Sequence, residues 1–263
     1  MPKKIAIITG ASAGLGKEFA VQLKKKINSQ STKKNYPIDE VWLIARRENA
    51  LKALAEELKP LSCRILPYDL NDSQSFSKIE SELKSGSVQV FLLINNAGLG
   101  KLGKIEDLSL EDQIQTVNLN VIALMSMTKI CLPFMSKGSV IMQVASTASF
   151  APIPYFATYA ATKVFVLNWS KALQFEVKGR GIHVINVCPG PVETEFFAHA
   201  TQSGGIWYNS YASSSQVVRK AYSDLESKRS LSVYGFTMSF YSIFAKFVPE
   251  FILSRILAKM HQV

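Results

Sequence analysis

Short runs of aliphatic residues alternate along the chain with longer stretches that repeat apolar residues every three or four positions. The short runs show little polar alternation, which is typical of strands buried on both faces of a parallel sheet. The longer stretches predict amphipathic helices. The predicted strands are Lys4–Thr9, Glu40–Ala45, Arg64–Tyr68, Val88–Asn95, Ser139–Ala145 and Gly181–Cys188, and the predicted helices are Leu15–Lys26, Glu48–Lys59, Ser73–Ser85, Glu111–Met135 and Tyr155–Lys178. This order predicts an α/β fold with a doubly wound, mostly parallel, Rossmann-type sheet of about seven strands.

The alternation stops after the sixth predicted strand. Residues 189–230 are predicted to hold a substrate loop, because long irregular stretches in compact domains tend to be lids or binding loops. Residues 235–263 form an apolar C-terminal segment that Lys246, Glu250 and Arg255 interrupt, so no uncharged run of about 18 residues could span a bilayer. We expect either a helix pair in the core or at a subunit interface, or an amphipathic segment on a membrane surface. Residues 1–263 are expected to form one domain.

The composition is that of an ordinary folded chain. Of its 263 residues, 48% are hydrophobic and 19% are charged, which excludes wholesale disorder. The net charge is +10, but only 7 of the 30 basic residues are arginine, so nucleic acid is not an expected partner. The first apolar run is too short for a signal peptide. Cys63, Cys131 and Cys188 lie far apart in apolar stretches, which predicts reduced thiols in a cytoplasmic protein and no metal site.

A glycine-rich segment follows the first predicted strand and precedes the first predicted helix. Glycines allow a tight turn and a close approach of the main chain to a pyrophosphate. Free amides at the start of a helix attract its negative charge. The segment therefore predicts a dinucleotide site formed by Gly10, Ser12, Ala13, Gly14, Leu15 and Gly16.

The residues after the second predicted strand indicate which dinucleotide is bound. An NAD site usually has an aspartate or glutamate there, which binds the ribose 2′-hydroxyl. This chain has Arg46 and Arg47 instead. Guanidinium groups can bind a 2′-phosphate through paired hydrogen bonds, and no carboxylate stands there to repel it. NADP is therefore expected in preference to NAD.

Tyr159 and Lys163 form the only Tyr-x-x-x-Lys in the chain, and Ser146 precedes the tyrosine by thirteen residues. In a helix, residues four apart share one face, so the ammonium of Lys163 can lie close to the phenol of Tyr159. A nearby cation favours phenolate and lowers the pKa of a tyrosine from about 10. Tyr159 is therefore a candidate general acid and base.

Together these motifs resemble the short-chain dehydrogenase/reductase family, specifically its single-domain members. The resemblance spans roughly residues 4–195 and includes an Asn-Asn-Ala-Gly motif after the fourth strand. It implies a catalytic tetrad of Asn118, Ser146, Tyr159 and Lys163. It also implies cofactor contacts from Asp69, Leu70, Asn96, Ala97, Gly98, Tyr159, Lys163, Pro189, Gly190, Val192 and Thr194.

The resemblance implies an NADP-dependent oxidoreductase that interconverts a ketone or aldehyde and its alcohol. Tyr159 would donate the proton, and Ser146 would hold the carbonyl oxygen. Lys163 would also bind the nicotinamide ribose, and Asn118 would hold a water that relays protons to Lys163. The family implies a homodimer or homotetramer formed through the helices that carry Asn118 and Tyr159. The chain is most similar to the subgroup with hydroxysteroid dehydrogenases and 3-ketoacyl reductases.

Aromatic residues near the motifs suggest a lipophilic substrate such as an acyl chain, a sterol-like ring system or an aromatic ketone. They are Phe150, Tyr155, Phe156, Phe196, Phe197 and Trp207. A polyol or sugar dehydrogenase on the same scaffold and a non-catalytic NADP-binding sensor or scaffold stay open as alternatives. A third reading is a membrane-surface protein that uses the basic loop Lys24–Lys34 together with the apolar C-terminal segment.

Overall fold

The computed structural model of the chain describes residues 2–29, 35–196 and 211–261. Within these ranges, seven parallel strands form one sheet in the order β3-β2-β1-β4-β5-β6-β7. They are β1 (Lys3–Thr9), β2 (Glu40–Ile44), β3 (Ser62–Leu66), β4 (Val88–Asn95), β5 (Val140–Val144), β6 (His183–Val187) and β7 (Leu231–Ser232). The chain winds outward in one direction from β1 to β3 and in the other from β4 to β7. The predicted doubly wound α/β sheet is confirmed.

Helices cover both faces of the sheet. They are α1 (Gly14–Asn28), α2 (Glu48–Leu58), α3 (Gln74–Ser85), α4 (Leu110–Val117), α5 (Ala123–Cys131), α6 (Ala157–Lys178), α7 (Ser214–Glu226), α8 (Phe236–Phe244) and α9 (Glu250–His261). Successive residues of β1 enter opposite core layers, because strand side chains alternate between the two faces. Ile8 packs with Phe19 of α1, whereas Ile7 packs with Met127 of α5. Burial on both faces explains the continuous apolar runs in the strands.

The predicted helix Glu111–Met135 is one continuous helical stretch with a local change of period. A π-helical turn, Asn118–Ile122, joins α4 to α5, and such turns are often found at functional sites. By length and composition alone, Leu110–Phe134 is apolar enough to cross a membrane. Here α4 packs against α6, and α5 packs against α3 and β4. The stretch is therefore part of the helical layer on one face of the sheet.

Several predicted boundaries differ from those in the structure. The third strand is Ser62–Leu66, two residues earlier than predicted. Helix α6 begins at Ala157, because Tyr155 has a φ of 63°, outside the right-handed helical region. Strand β7 has only two residues, too few to show a period in the sequence.

Residues 189–230, predicted as a substrate loop, include helix α7. This helix packs on α1, where the hydroxyl of Tyr222 donates a hydrogen bond of 2.9 Å to the carbonyl of Phe19. A capping box between Ser213 and Gln216 fixes its start. Helix α7 therefore occupies part of the stretch that was predicted as a substrate loop.

Candidate active site

A cavity of about 540 Å³ lies along the carboxyl ends of the parallel strands. Ligands bind at this edge in doubly wound sheets. Its walls contain the predicted cofactor-binding residues Gly10, Ser12, Ala13, Gly14, Leu15, Arg46, Arg47, Asp69, Leu70, Asn96, Ala97, Gly98, Tyr159, Lys163, Pro189, Gly190, Val192 and Thr194. Six separate sequence segments thus meet at one site.

The glycine-rich segment brings the start of α1 to the cavity wall. Gly16 does not line the cavity, but a Cβ there would lie 2.1 Å from the carbonyl oxygen of Gly10. Only glycine therefore permits this approach. Ala13, the N-cap of α1, offers no side-chain acceptor, and the first turn has no acidic residue. The amides of that turn are thus left without a side-chain cap, which suits an anionic ligand.

Thr9 and Asn96 join the glycine-rich segment to the Asn-Asn-Ala-Gly motif. The hydroxyl of Thr9 accepts hydrogen bonds from the backbone N–H groups of Asn96, at 2.9 Å, and Ala97, at 3.0 Å. In return, Asn96 Nδ2 donates to the carbonyl of Thr9 at 3.0 Å. These bonds fix the ends of β1 and β4 against each other, at the point where the direction of winding reverses.

Arg47 lies at the rim of the cavity after β2. Its guanidinium donates to Ser12 Oγ from Nη2 at 3.2 Å and from Nε at 3.3 Å. Nη2 also lies 2.8 Å from Glu195 Oε2, in an ion pair of half-exposed side chains. The structure therefore places a guanidinium where the sequence predicted one, already paired with a carboxylate from the segment after β6.

Lys163 is buried against Tyr159. Its Nζ donates a hydrogen bond of 2.9 Å to the carbonyl of Val144 and lies 5.6 Å from the centre of the Tyr159 ring. Burial lowers the pKa of the Lys163 ammonium from 10.5 to about 8, and Cys188 opposes this shift in part. The expected proximity of the ammonium and the tyrosine ring is present.

Ser146 and Tyr159 are nearly buried and line the same cavity. Ser146 is the N-cap of a short 3₁₀ turn after β5, and its Oγ accepts a hydrogen bond from the N–H of Ala148 at 3.1 Å. The ring of Tyr159 stacks on Phe156, with 4.3 Å between centroids, and lies 5.4 Å from the ring of Phe196. Aromatic contacts thus fix the position of the tyrosine ring.

Asn120, and not Asn118, is the amide beside the lysine. Asn120 is 1% exposed, and its side chain accepts from the N–H of Leu99 and donates to its carbonyl, both at 2.8 Å. A Cβ on Gly98 would lie 3.2 Å from Asn120 Oδ1 and 3.5 Å from Lys163 Nζ, so both atoms flank this glycine. Neither Asn118 nor Asn120 lines the cavity itself. The structure therefore favours Asn120 over Asn118 for the position beside Lys163.

Asn118 and Asn120 lie on different faces of the same helix. Side chains two positions apart on a helix are rotated by about 200° around its axis. Asn118 and Asn120 therefore cannot both face the sheet. Asn120 belongs to the buried stripe of this helix, together with Thr116, Met127 and Cys131. The apolar period of the sequence favours the other face, because Ile114 and Ile122, four residues before and after Asn118, are apolar yet exposed.

The aromatic residues predicted to surround the substrate divide into three groups. Phe156 and Phe196 line the cavity, whereas Phe150 and Tyr155 do not. Phe150 instead packs edge-on against Tyr241 of α8, with 6.3 Å between centroids. Phe197 and Trp207 lie outside the described residues.

Polar residues that the sequence reasoning missed also line the cavity. Two of them, Asp112 and Gln115, belong to α4. A third is Lys101, whose Nζ lies 3.8 Å from Asp112 Oδ1. Asn71 lies close to Asp69, and its buried Oδ1 has no hydrogen-bond partner among the described residues. None of these residues belongs to a recognisable motif, so only the fold reveals them.

The donor set of the cavity fits a dinucleotide. Uncapped amides at the start of α1 can bind a pyrophosphate, and the guanidinium of Arg47 can bind a further phosphate in competition with Glu195. The unpartnered Asn71 Oδ1 offers an acceptor on the same wall. In the part of the chain that the structure describes, no group of three or more His, Cys, Asp or Glu side chains could hold a metal ion.

Comparison with known proteins agrees with this geometry. A family model described as short chain dehydrogenase matches residues 4–204. The NADP-dependent 3-hydroxy acid dehydrogenase of Schizosaccharomyces pombe is 33% identical over 201 residues, which are 73% of this chain and 73% of that protein. The very-long-chain 3-oxoacyl-CoA reductase of Neurospora crassa is 31% identical over 189 residues, or 68% of this chain. The match spans only 53% of that reductase.

Solved structures share the same fold. The short-chain dehydrogenase from Sphingobium yanoikuyae in complex with NADPH has a TM-score of 0.76 and 24% sequence identity to this chain. The match covers 88% of this chain and 87% of the other. The seven-stranded sheet and its flanking helices are therefore common to both.

Proposed function

The chain belongs to the short-chain dehydrogenase/reductase family, and on that premise we propose that it interconverts a ketone or aldehyde and its alcohol with NADP. The observation that carries the proposal is the buried ammonium of Lys163 against the ring of Tyr159, in a cavity that also holds Ser146. A cation in this position favours the phenolate form of tyrosine.

Tyr159 is proposed as the general acid in the reduction and the general base in the oxidation. Ser146 would donate a hydrogen bond to the substrate oxygen, where negative charge develops as the carbonyl is reduced. The Ser146 hydroxyl can turn to the substrate easily, because its own hydrogen bond to the Pro189 carbonyl is long, at 3.5 Å. Lys163 is held by the Val144 carbonyl and would bring its charge to the tyrosine and to the ribose.

Asn120 is proposed in the role that the sequence assigned to Asn118. Its two hydrogen bonds to Leu99 fix the segment after Gly98. A carbonyl oxygen has two lone pairs, so Oδ1 can accept one further hydrogen bond besides that from Leu99. A water bound there, next to Lys163, would pass protons toward solvent.

NADP fits the cofactor side of the cavity. When bound, its nicotinamide supplies or accepts the hydride. The start of α1 would bind the pyrophosphate, and Arg46 and Arg47 would bind the 2′-phosphate. Asp69 and Leu70 would flank the adenine. The name of the Schizosaccharomyces relative, which specifies NADP, supports this preference over NAD.

A lipophilic substrate fits the catalytic end of the cavity, where Ile153, Phe156 and Phe196 contribute apolar walls. The names of the two relatives refer to a 3-hydroxy acid and a 3-oxoacyl chain. We therefore favour a 3-oxoacyl or 3-hydroxyacyl compound over a sterol-like or aromatic ketone.

We also propose a single-domain, cytoplasmic enzyme that assembles as a homodimer or homotetramer. Apolar side chains are exposed on the helices that would form the subunit contact. They are Ile114 of α4, Ile122 of the π turn, and Phe165 and Phe175 of α6. Pairing these surfaces would bury them.

A panel of carbonyl compounds tests the proposal. The purified protein would be assayed with NADPH and with NADH against 3-oxoacyl thioesters, aromatic ketones, sterol-like ketones and keto sugars. We expect the highest kcat/KM with NADPH and an acyl compound. Best turnover with sugars would favour the polyol dehydrogenase alternative. NADPH binding without turnover of any compound would favour a sensor or scaffold.

A further inference from the structure

The last two helices expose an unusual number of large apolar side chains. We call this surface the C-terminal face and define it by Phe236, Phe240, Phe244, Phe247, Phe251 and Ile256. Phe236 is 88% exposed and Phe247 is 81% exposed. Single exposed apolar residues are normal, but a cluster of this kind on one segment marks an interaction surface.

The C-terminal face is the outer side of a segment whose inner side is already docked. Ala245 and Leu253 are buried, and Tyr241 packs against Phe150. Phe236, Phe240 and Phe244 are spaced four residues apart and therefore form one stripe on α8. The rings of Phe240 and Phe244 stack, with 5.7 Å between centroids. The fold thus uses one side of the segment for its core and leaves the other to an external partner.

The charges within this segment are mainly positive. Between residues 236 and 259 the only carboxylate is Glu250, whereas Lys246, Arg255 and Lys259 supply three cations, and all four residues are exposed. The guanidinium of Arg255 lies 5.8 Å from the centre of the Phe251 ring. Exposed aromatic rings next to cations match the boundary between the acyl chains and the headgroups of an anionic membrane.

We propose that the C-terminal face docks on the surface of a lipid bilayer that contains anionic lipids. A second copy of the chain is a poorer partner. A two-fold symmetric contact sets the same patch against itself, so the three cations of each copy would meet with only one carboxylate each to offset them. Phosphate and carboxylate headgroups complement the cations, and the acyl layer accepts the rings.

The C-terminal face and the described part of the basic stretch Lys24–Lys34 lie at opposite edges of the sheet. Helix α1 starts beside the cavity at Gly14 and ends at Asn28, at the opposite edge of the sheet. The C-terminal face lies beside Phe150, which follows β5 at the carboxyl edge. The proposal therefore rests on the C-terminal face alone.

The segment that carries the C-terminal face also forms part of the surroundings of the active site. A Cβ on Gly190, which lines the cavity, would lie 2.9 Å from Met238 Cγ of α8. Leu257 of α9 packs against the apolar cluster that includes Tyr159 and Phe156. Docking does not depend on the proposed reaction. Only its consequence, the entry of a lipophilic substrate from the bilayer, rests on the proposed function.

Vesicle co-sedimentation of the full chain tests the docking. The probes are vesicles of phosphatidylcholine alone and of phosphatidylcholine mixed with phosphatidylglycerol, without substrate or cofactor. The test variant is F236D/F247D, since both side chains are exposed and their loss should not disturb the core. The control is Ile105→Asp, a 58% exposed isoleucine between β4 and α4, outside both the C-terminal face and the helices proposed for the subunit contact.

We expect the wild type and Ile105→Asp to sediment with the mixed vesicles, and to do so more weakly at high salt and with phosphatidylcholine alone. The double variant should bind the mixed vesicles at least about tenfold more weakly, because two phenyl groups no longer move from water into the bilayer. Its thermal midpoint should match that of the wild type. Failure of the wild type to sediment would overturn the proposal, as would equal binding by the double variant or equal loss in Ile105→Asp. A wild-type oligomer that the double variant dissociates, without vesicle binding, would assign the face to a second copy instead.

Discussion

Arg47 and Glu195 connect the two sides of the cavity, with 2.8 Å between guanidinium and carboxylate. Arg47 follows β2, where the 2′-phosphate is proposed to bind, and Glu195 belongs to the segment after β6. Both side chains are about half exposed, so the ion pair itself contributes at most about 1 kcal/mol to stability. If NADP binds as proposed, this ion pair competes for the guanidinium that would hold the 2′-phosphate.

Glu195→Gln should therefore tighten the binding of NADPH by up to about fivefold, because the carboxylate no longer occupies Arg47. The affinity for NADH, which lacks the 2′-phosphate, should stay constant. Titration of both cofactors by fluorescence checks this. Glu193→Gln, a second exposed acid in the same segment, serves as the control and should change neither affinity. Equal tightening for NADPH and NADH would contradict the competition.

Asn120→Ala and Asn118→Ala should differ sharply in their effects on stability and on kcat. Loss of the Asn120 amide leaves the backbone groups of Leu99 without their partners, which should cost about 1–3 kcal/mol of unfolding free energy. The same change should lower kcat, because the water site beside Lys163 is lost. Asn118→Ala should change both quantities little. Urea unfolding and steady-state kinetics of the two variants decide the matter, and a larger kinetic effect of Asn118→Ala would restore the original prediction.

The buried ammonium of Lys163 predicts a specific dependence of stability on pH. Its pKa is about 8 in the folded protein, against an ordinary 10.5. Between these values the unfolded chain binds more protons than the folded chain, so the free energy of unfolding should rise with pH. The slope from this group approaches about 1.4 kcal/mol per pH unit.

Urea unfolding between pH 8 and pH 10 measures this slope. Lys163→Met should lack the contribution, because it removes the titrating group. Lys171→Met, an exposed lysine on the same helix, should keep the wild-type slope. Identical slopes in all three proteins would show that the charge of Lys163 is not destabilised by burial.

The sequence predicted those features that local patterns encode. Buried strands, the Gly10–Gly16 segment and the spacing of Tyr159 and Lys163 depend on near neighbours, and each occurs in the fold as expected. The choice between Asn118 and Asn120 depended on which helix face meets the sheet. The apolar residues Ile114 and Ile122 lie four positions before and after Asn118 and are exposed, so only the fold shows that the face of Asn120 is the buried one.

Other features had weaker signals or none. The capping-box residues Ser213 and Gln216 are a local signal for the start of helix α7, although the surrounding stretch lacks a clear helical period of apolar residues. The ion pair between Arg47 and Glu195 joins residues 148 positions apart, and no local pattern predicts such a contact. The exposure of Phe236 and Phe247 likewise depends on tertiary packing, since the sequence shows that the segment is apolar but not which side is covered.

The central claim is that Tyr159 transfers the proton, and Tyr159→Phe tests it most directly. The substitution removes one oxygen atom and keeps the ring that stacks on Phe156. The measurement is the single-turnover rate of carbonyl reduction by the NADPH-bound enzyme, together with the Kd for NADPH. We predict that the rate falls by about a hundredfold to ten-thousandfold, while the Kd changes less than about twofold. An unchanged rate, or a loss of rate that weaker NADPH binding fully explains, would contradict the account.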